Sequence, residues 1–214
     1  MIRVALVDDH ELVRTGFRHI LAREADIEVV GEGASGEDGI ALARQLKPDV
    51  ILMDLHLPGI SGLEATERIV RAGGITRVIA VTAQDEQPFP RRVLEAGASG
   101  YLTKACPASE LVKAVREVAD GGRYLSADIA RSLALSSMPG SNGQSPFSEL
   151  SARELEVAIK LAQGDDMPHI AKLLNLSPKT VATYKYRLFD KLGVDSEVAL
   201  ANLAARYGLL GKRG

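Results

Sequence analysis

The sequence predicts an α/β fold, a doubly wound five-stranded parallel sheet, followed by a second, smaller all-α domain of helix-turn-helix type. Three observations carry that prediction. Five short apolar runs alternate with stretches whose apolar residues recur at three and four spacing, the pattern of strands and amphipathic helices in βαβ units. Residues 136–146 then concentrate Ser, Gly, Asn and Pro without apolar periodicity and read as a flexible linker. Beyond it, three helix starts follow at short intervals, each marked by its own capping residue.

Taken in order, the apolar runs are Val4 to Val7, Ile27 to Val30, Val50 to Met53, Val78 to Val81 and Gly100 to Leu102. The third has no alternation, which suits a strand covered on both faces. The helical stretches between them are Glu11 to Arg23, Glu37 to Gln45, Gly62 to Ala72, Arg91 to Ala96 and Ala108 to Asp120, the crossovers that a parallel sheet needs. Asp128 to Leu135 is a further helical stretch that extends this domain or forms part of a hinge.

After the linker, Ser151-Ala152-Arg153-Glu154 is a capping box, with Leu150 placed to staple onto Leu155. The helix starts at Ala152, runs to about Gln163 and ends near Gly164. A second helix, capped by Asp166 with Pro168 in its first turn, turns Ile170, Ala171, Leu173 and Leu174 inward. Asn175 suits a left-handed turn. Ser177 caps a third helix with Pro178 at its first position. The expected domains are therefore 1–122, a connecting helix and linker at 123–147, and 148–214.

With 46% apolar and 25% charged residues in 214, the composition is that of a soluble globular protein. No apolar stretch approaches the roughly 20 residues of a membrane span, and Met1-Ile2-Arg3-Val4 begins no signal-peptide pattern. A cytoplasmic protein with no membrane partner is expected. The single cysteine, Cys106, has no partner for an internal disulfide or a thiolate metal site. Residues 1–125 hold 19 acidic and 15 basic side chains, a balance of -4, and the rest hold 9 and 11, a balance of +2. Lys179, Lys185, Arg187 and Lys191 are accompanied between them only by Asp190, which points to an anionic partner for the C-terminal part.

Ligands of such sheets bind beyond the carboxyl ends of the strands. Those ends bring Asp8 and Asp9, then Asp54, Thr82 and Lys104 to one edge. Close carboxylates resist joint ionisation unless a cation sits among them, and oxygen ligands of this kind suit Mg²⁺. With Lys104 adding positive charge and Thr82 a hydroxyl, the pocket suits a phosphoryl group on one carboxylate, with Asp54 as nucleophile. In the third C-terminal helix Val181, Leu188 and Leu192, with Tyr184 or Lys185 between, form the inward stripe, and Lys179, Ala182, Thr183, Tyr186 and Arg187 share the opposite face. A face of that kind fits the DNA major groove.

Val7-Asp8-Asp9-His10, Leu52-Met53-Asp54-Leu55-His56-Leu57-Pro58-Gly59, Val81-Thr82-Ala83 and Gly100-Tyr101-Leu102-Thr103-Lys104 resemble a response-regulator receiver domain, a flavodoxin-like fold. The resemblance implies that Asp54 is the phosphoacceptor, that Asp9, Asp54 and the His56 backbone carbonyl hold Mg²⁺ directly, and that Asp8 acts through water. It implies that Lys104 and Thr82 stabilise the phosphoryl group and that the Tyr101 rotamer follows Thr82. Receivers often place a cis proline after the lysine; here Ala105 follows, and a cis bond there costs about 3 kcal/mol, so the isomer stays open.

Leu150-Ser151-x-Arg153-Glu154, Leu176 to Val181 and Lys191-Leu192-Gly193-Val194 resemble the LuxR-type DNA-binding domain, so nearly the whole chain is similar to NarL/FixJ-class response regulators. The resemblance implies a sensor histidine kinase, double-stranded DNA and a homodimer formed on phosphorylation as partners. The DNA contacts would come from Lys179, Thr180, Ala182, Thr183, Lys185, Tyr186, Arg187 and Lys191, and dimerisation from the last helix, Glu197 to Tyr207. Tyr184-Lys185-Tyr186-Arg187, Ser145-Pro146-Phe147 and Pro88-Phe89-Pro90 are similar to the GacA/UvrY/SirA subgroup. Its kinase is of the BarA/GacS type, and its targets include genes of small regulatory RNAs. Those relatives typically have Asn and Arg where this chain has Ala182 and Lys185, so the operator does not carry over.

Two alternatives compete. One is a DNA-binding regulator that works without phosphorylation. The other is a phosphoaspartate hydrolase of the haloacid-dehalogenase type, against which His56 speaks, because that class resembles Asp-x-Asp with the second carboxylate as acid and base.

Overall fold

A strand with no polar alternation must be covered on both faces, and the sheet of this protein is. The structure, a computed structural model, describes residues 1–82, 90–126, 129–131, 133, 146–174 and 176–207. They fall into two compact units. The first alternates β1 (Ile2–Val7), α1 (Glu11–Leu21), β2 (Ile27–Gly33), α2 (Gly36–Leu46), β3 (Val50–Asp54), α3 (Gly62–Arg71), β4 (Arg77–Thr82), α4 (Pro90–Glu95), β5 (Gly100–Thr103) and α5 (Ala108–Ala119). All strand pairs are parallel, in the order β2-β1-β3-β4-β5, with a short β6 (Tyr124–Leu125) added beside β5.

Successive residues of each inner strand serve opposite cores. Val4, Leu6, Val50, Leu52, Ile79 and Val81 join Phe17 and Leu21 of α1 and Leu111, Val115 and Val118 of α5. Ala5, Val7, Ile51, Met53 and Val78 join Ala65 and Ile69 of α3, with Ile40 and Ala43 of α2 against them. Ser35 and Ser61 cap α2 and α3 by accepting the Asp38 and Glu64 amides, so the loops leaving β2 and β3 end in fixed helix starts. Strand order reverses between β1 and β3, and the crevice there opens at the ends of those two strands.

One expectation needs correcting. The sheet has six strands among the described residues, not five, because Tyr124–Leu125 pair with Gly100 and Tyr101. A two-residue edge strand after Gly121-Gly122 leaves no apolar run to read, and it carries the sheet past residue 122.

The second unit begins with a 3₁₀ turn (Pro146–Glu149) and contains α6 (Ala152–Gln163), α7 (Met167–Leu173), α8 (Pro178–Leu192) and α9 (Glu197–Arg206). Ser151 and Glu154 form the expected capping box, Gly164 ends α6 at φ 93°, and Asp166, Ser177 and Ser196 cap the next three helices. Phe147 is buried and meets Tyr207 edge-on, with centroids 6.3 Å apart, tying the start of the unit to its last helix. Ile170, Ala171 and Leu174 are buried as expected, but Leu173 is 51% exposed. At 3.6 residues per turn it lies roughly 100° round the helix from the centre of that stripe. Asn175, Ala83, Pro88-Phe89, the linker up to residue 145 and most of the 128–135 stretch lie outside the described residues.

Candidate functional site

The carboxyl ends of β1, β3, β4 and β5 build the site. Asp8 follows β1, its N–H donating to Gly33 at 3.1 Å, and its Oδ1 accepts the His10 amide at 2.9 Å. Asp54 ends β3, and its Oδ1 accepts the His56 amide at 3.2 Å. These short turns let each carboxylate fold back over its own chain. Both are almost fully buried, at 3% and 2% exposure.

Lys104 follows β5, its N–H bonded to the Thr82 carbonyl at 2.7 Å. Its ammonium lies 2.8 Å from Asp8 Oδ2 and 2.9 Å from Asp54 Oδ2. Burial acts to lower the Lys104 pKa, but the two carboxylates outweigh it and the ammonium is held above its usual range. Asp9 is more exposed and meets His10 Nδ1 at 2.7 Å. Thr82 and Tyr101 are buried, at 1% and 0%. The Lys104–Ala105 peptide is trans.

Three carboxylates against one ammonium leave two negative charges in a mostly buried pocket. Oxygens of Asp8, Asp9 and Asp54 and a nitrogen of His10 lie within 4.8 Å of one another, so the donor set fits a divalent cation. His10 and Arg14, whose guanidinium donates to the Asp8 carbonyl at 2.6 Å, were not among the sequence candidates. The only signal for either is nearness to Asp8 and Asp9 at a helix start.

In the second unit, Val181 and Leu188 of α8 are buried, while Lys179, Thr183, Tyr186, Arg187 and Lys191 are exposed. Thr180, Ala182 and Lys185 are half-buried. Two cations of the candidate face are already engaged. Lys185 meets Glu197 at 2.6 Å, and Lys191 meets Glu154, also at 2.6 Å. Glu154 is held below the usual carboxylate range: burial pushes it up, but Lys191 and Ser151 outweigh that.

Residues 4–116 match the family described as "Response regulator receiver domain", and residues 148–204 match "Bacterial regulatory proteins, luxR family". The chain is a NarL/FixJ-class response regulator. This response regulator is 49% identical over 210 residues to the response regulator GacA of Pseudomonas aeruginosa, 98% of each chain. It is 47% identical over 209 residues to the response regulator UvrY of Escherichia coli, covering 98% of this chain and 96% of that one. A solved structure of two RcsB dimers bound to two parallel DNAs superposes with a TM-score of 0.57 at 27% identity, covering 99% of each chain. These relatives are named as response regulators, as this chain is, and not as hydrolases, so the hydrolase alternative is set aside. Among the described residues no helix is long and apolar enough to cross a membrane.

Proposed function

We propose that this response regulator accepts a phosphoryl group from a sensor histidine kinase on Asp54 and, once phosphorylated, binds double-stranded DNA as a homodimer to regulate transcription. The observation that carries the reading is the buried Asp54 carboxylate at the end of β3, bonded to Lys104 and set against Asp8 and Asp9. An Asp54 oxygen attacks phosphorus, the kinase's N–P bond breaks as the acyl phosphate O–P bond forms, and the freed imidazole takes up a proton. Lys104 exchanges a carboxylate partner for a phosphoryl oxygen, and the Thr82 hydroxyl donates to another. Asp9, Asp54 and the His56 carbonyl would hold Mg²⁺ with Asp8 behind water, and the ion when bound would neutralise charge on the transferring group.

Thr82 pairs in register with Thr103, two residues along β5 from Tyr101, so in this reading movement of Thr82 biases Tyr101 and the outer face of the receiver. We assign the receiver to the residues expected at 1–122, extended to 125 to include β6, and DNA binding to 148–214. Lys179, Thr183, Tyr186 and Arg187 present the exposed face to the groove, and Lys185 and Lys191 reach phosphates after leaving their glutamates. Residues of α9 pair the two copies, and the dimers of the related RcsB on DNA support a dimeric DNA-bound form. The site of action in this reading is the cytoplasm, where a transcription regulator meets its DNA.

Intact mass after incubation with acetyl phosphate and Mg²⁺ tests the first step. One phosphoryl adduct in the wild type and none in Asp54→Ala is expected, with tighter operator binding and dimerisation following the adduct. Equal DNA affinity with and without the adduct would leave the phosphorylation-independent regulator in its place.

A further inference from the structure

His10 stands among the acidic groups without a part in phosphoryl transfer. It occupies the N-cap position of α1, yet its side chain makes no capping bond. Instead its Nδ1 lies 2.7 Å from Asp9 Oδ1 and 3.3 Å from Asp8 Oδ1. Neighbouring ligands of an octahedral ion with bonds of about 2.1 Å are about 3.0 Å apart, and opposite ones about 4.2 Å. The 2.7 Å between His10 Nδ1 and Asp9 Oδ1 is close to the first value, and donor atoms of all four residues lie within 4.8 Å of one another, so small side-chain shifts bring His10 into the surroundings of one ion. The ring is 66% exposed, so it would approach an ion from the solvent side, where Mg²⁺ keeps its waters.

Resting on the reading of this pocket as the receiver's metal site, we propose that His10 is a further protein ligand there, giving the site a preference for a first-row transition ion such as Mn²⁺ over Mg²⁺. Imidazole nitrogen suits transition ions, whereas Mg²⁺ favours oxygen and gives up water reluctantly. On binding, Nδ1 would exchange its contact with Asp9 for the ion, and Asp9 and Asp54 would remain the carboxylate ligands. A ring that only braces Asp9 would leave the preference between ions unchanged.

Three-pulse electron spin-echo spectroscopy of the full chain loaded with Mn²⁺ reads a coordinated imidazole directly through nitrogen modulation. The wild type and His56→Gln show it. His10→Gln still binds Mn²⁺ but shows none, and its preference for Mn²⁺ over Mg²⁺, from competition titration, falls by on the order of tenfold or more. Bound Mn²⁺ without nitrogen modulation in the wild type overturns the proposal, as does modulation that survives in His10→Gln. Equal weakening of both ions identifies a positioning residue and overturns it too. A wild type that binds neither ion removes the metal-site reading itself.

Discussion

Lys104 is the side chain on which the acidic pocket balances. Its ammonium is shared by two buried carboxylates, and removing one partner of such a group leaves charge buried and unpaired. Lys104→Met should therefore lose about 3 kcal/mol in urea unfolding with chelator present; an unchanged midpoint would show that water reaches Asp8 and Asp54. Because the folded-state pKa is raised, this contribution is present at neutral pH and disappears only as pH rises beyond the ordinary lysine value of 10.5. Glu154 has the opposite sign. Its folded pKa is depressed from 4.5, so its contribution is present above that value and lost as pH falls through the folded one. Glu154→Gln should be less stable by about 1 kcal/mol at pH 7, with the gap to wild type closing below pH 4.5; a gap constant with pH would contradict the pairing with Lys191.

At the scale of elements, α3 meets β3 backbone to backbone. A Cβ added at Gly62 would lie 1.7 Å from the Asp54 carbonyl oxygen, so the helix that follows the candidate phosphoacceptor loop can start there only with glycine. Gly62→Ala should cost more than about 3 kcal/mol or displace the loop, and a thermal midpoint within a degree or two of wild type would show that the helix start has room to shift. Most element bounds were legible to within a few residues, because apolar period and capping residues are local signals. Two features were not. β6 owes its existence to β5 beside it, and Leu173 belongs to a short helix whose buried stripe is set by the neighbours it packs against.

For the whole molecule, the salt dependence of DNA binding separates cations that are free to meet phosphates from those holding the fold. Lys179→Ala and Arg187→Ala should each reduce the slope of log affinity against log salt by about 1. Lys191→Ala should change the slope less and lower stability more, because its ammonium is bonded to Glu154. Similar slopes for all three variants would mean that Lys191 leaves Glu154 at little cost.

By itself the sequence determined, through local motifs, the caps at Ser151, Asp166 and Ser177 and the resemblance to the family. It also determined the order of the first five strands and their helices, and the convergence of Asp8, Asp9, Asp54, Thr82 and Lys104 on one edge. These follow from periodicity and from the rule that parallel strands all end on the same side. The tertiary structure alone decided which charges meet. It gave Lys104 to Asp8 and Asp54, Lys185 to Glu197 and Lys191 to Glu154, and it turned His10 toward Asp9. Long side chains choose partners within a few ångströms in space, and the lysine pairs, 12 or more positions apart in the chain, carry no local signal of that distance.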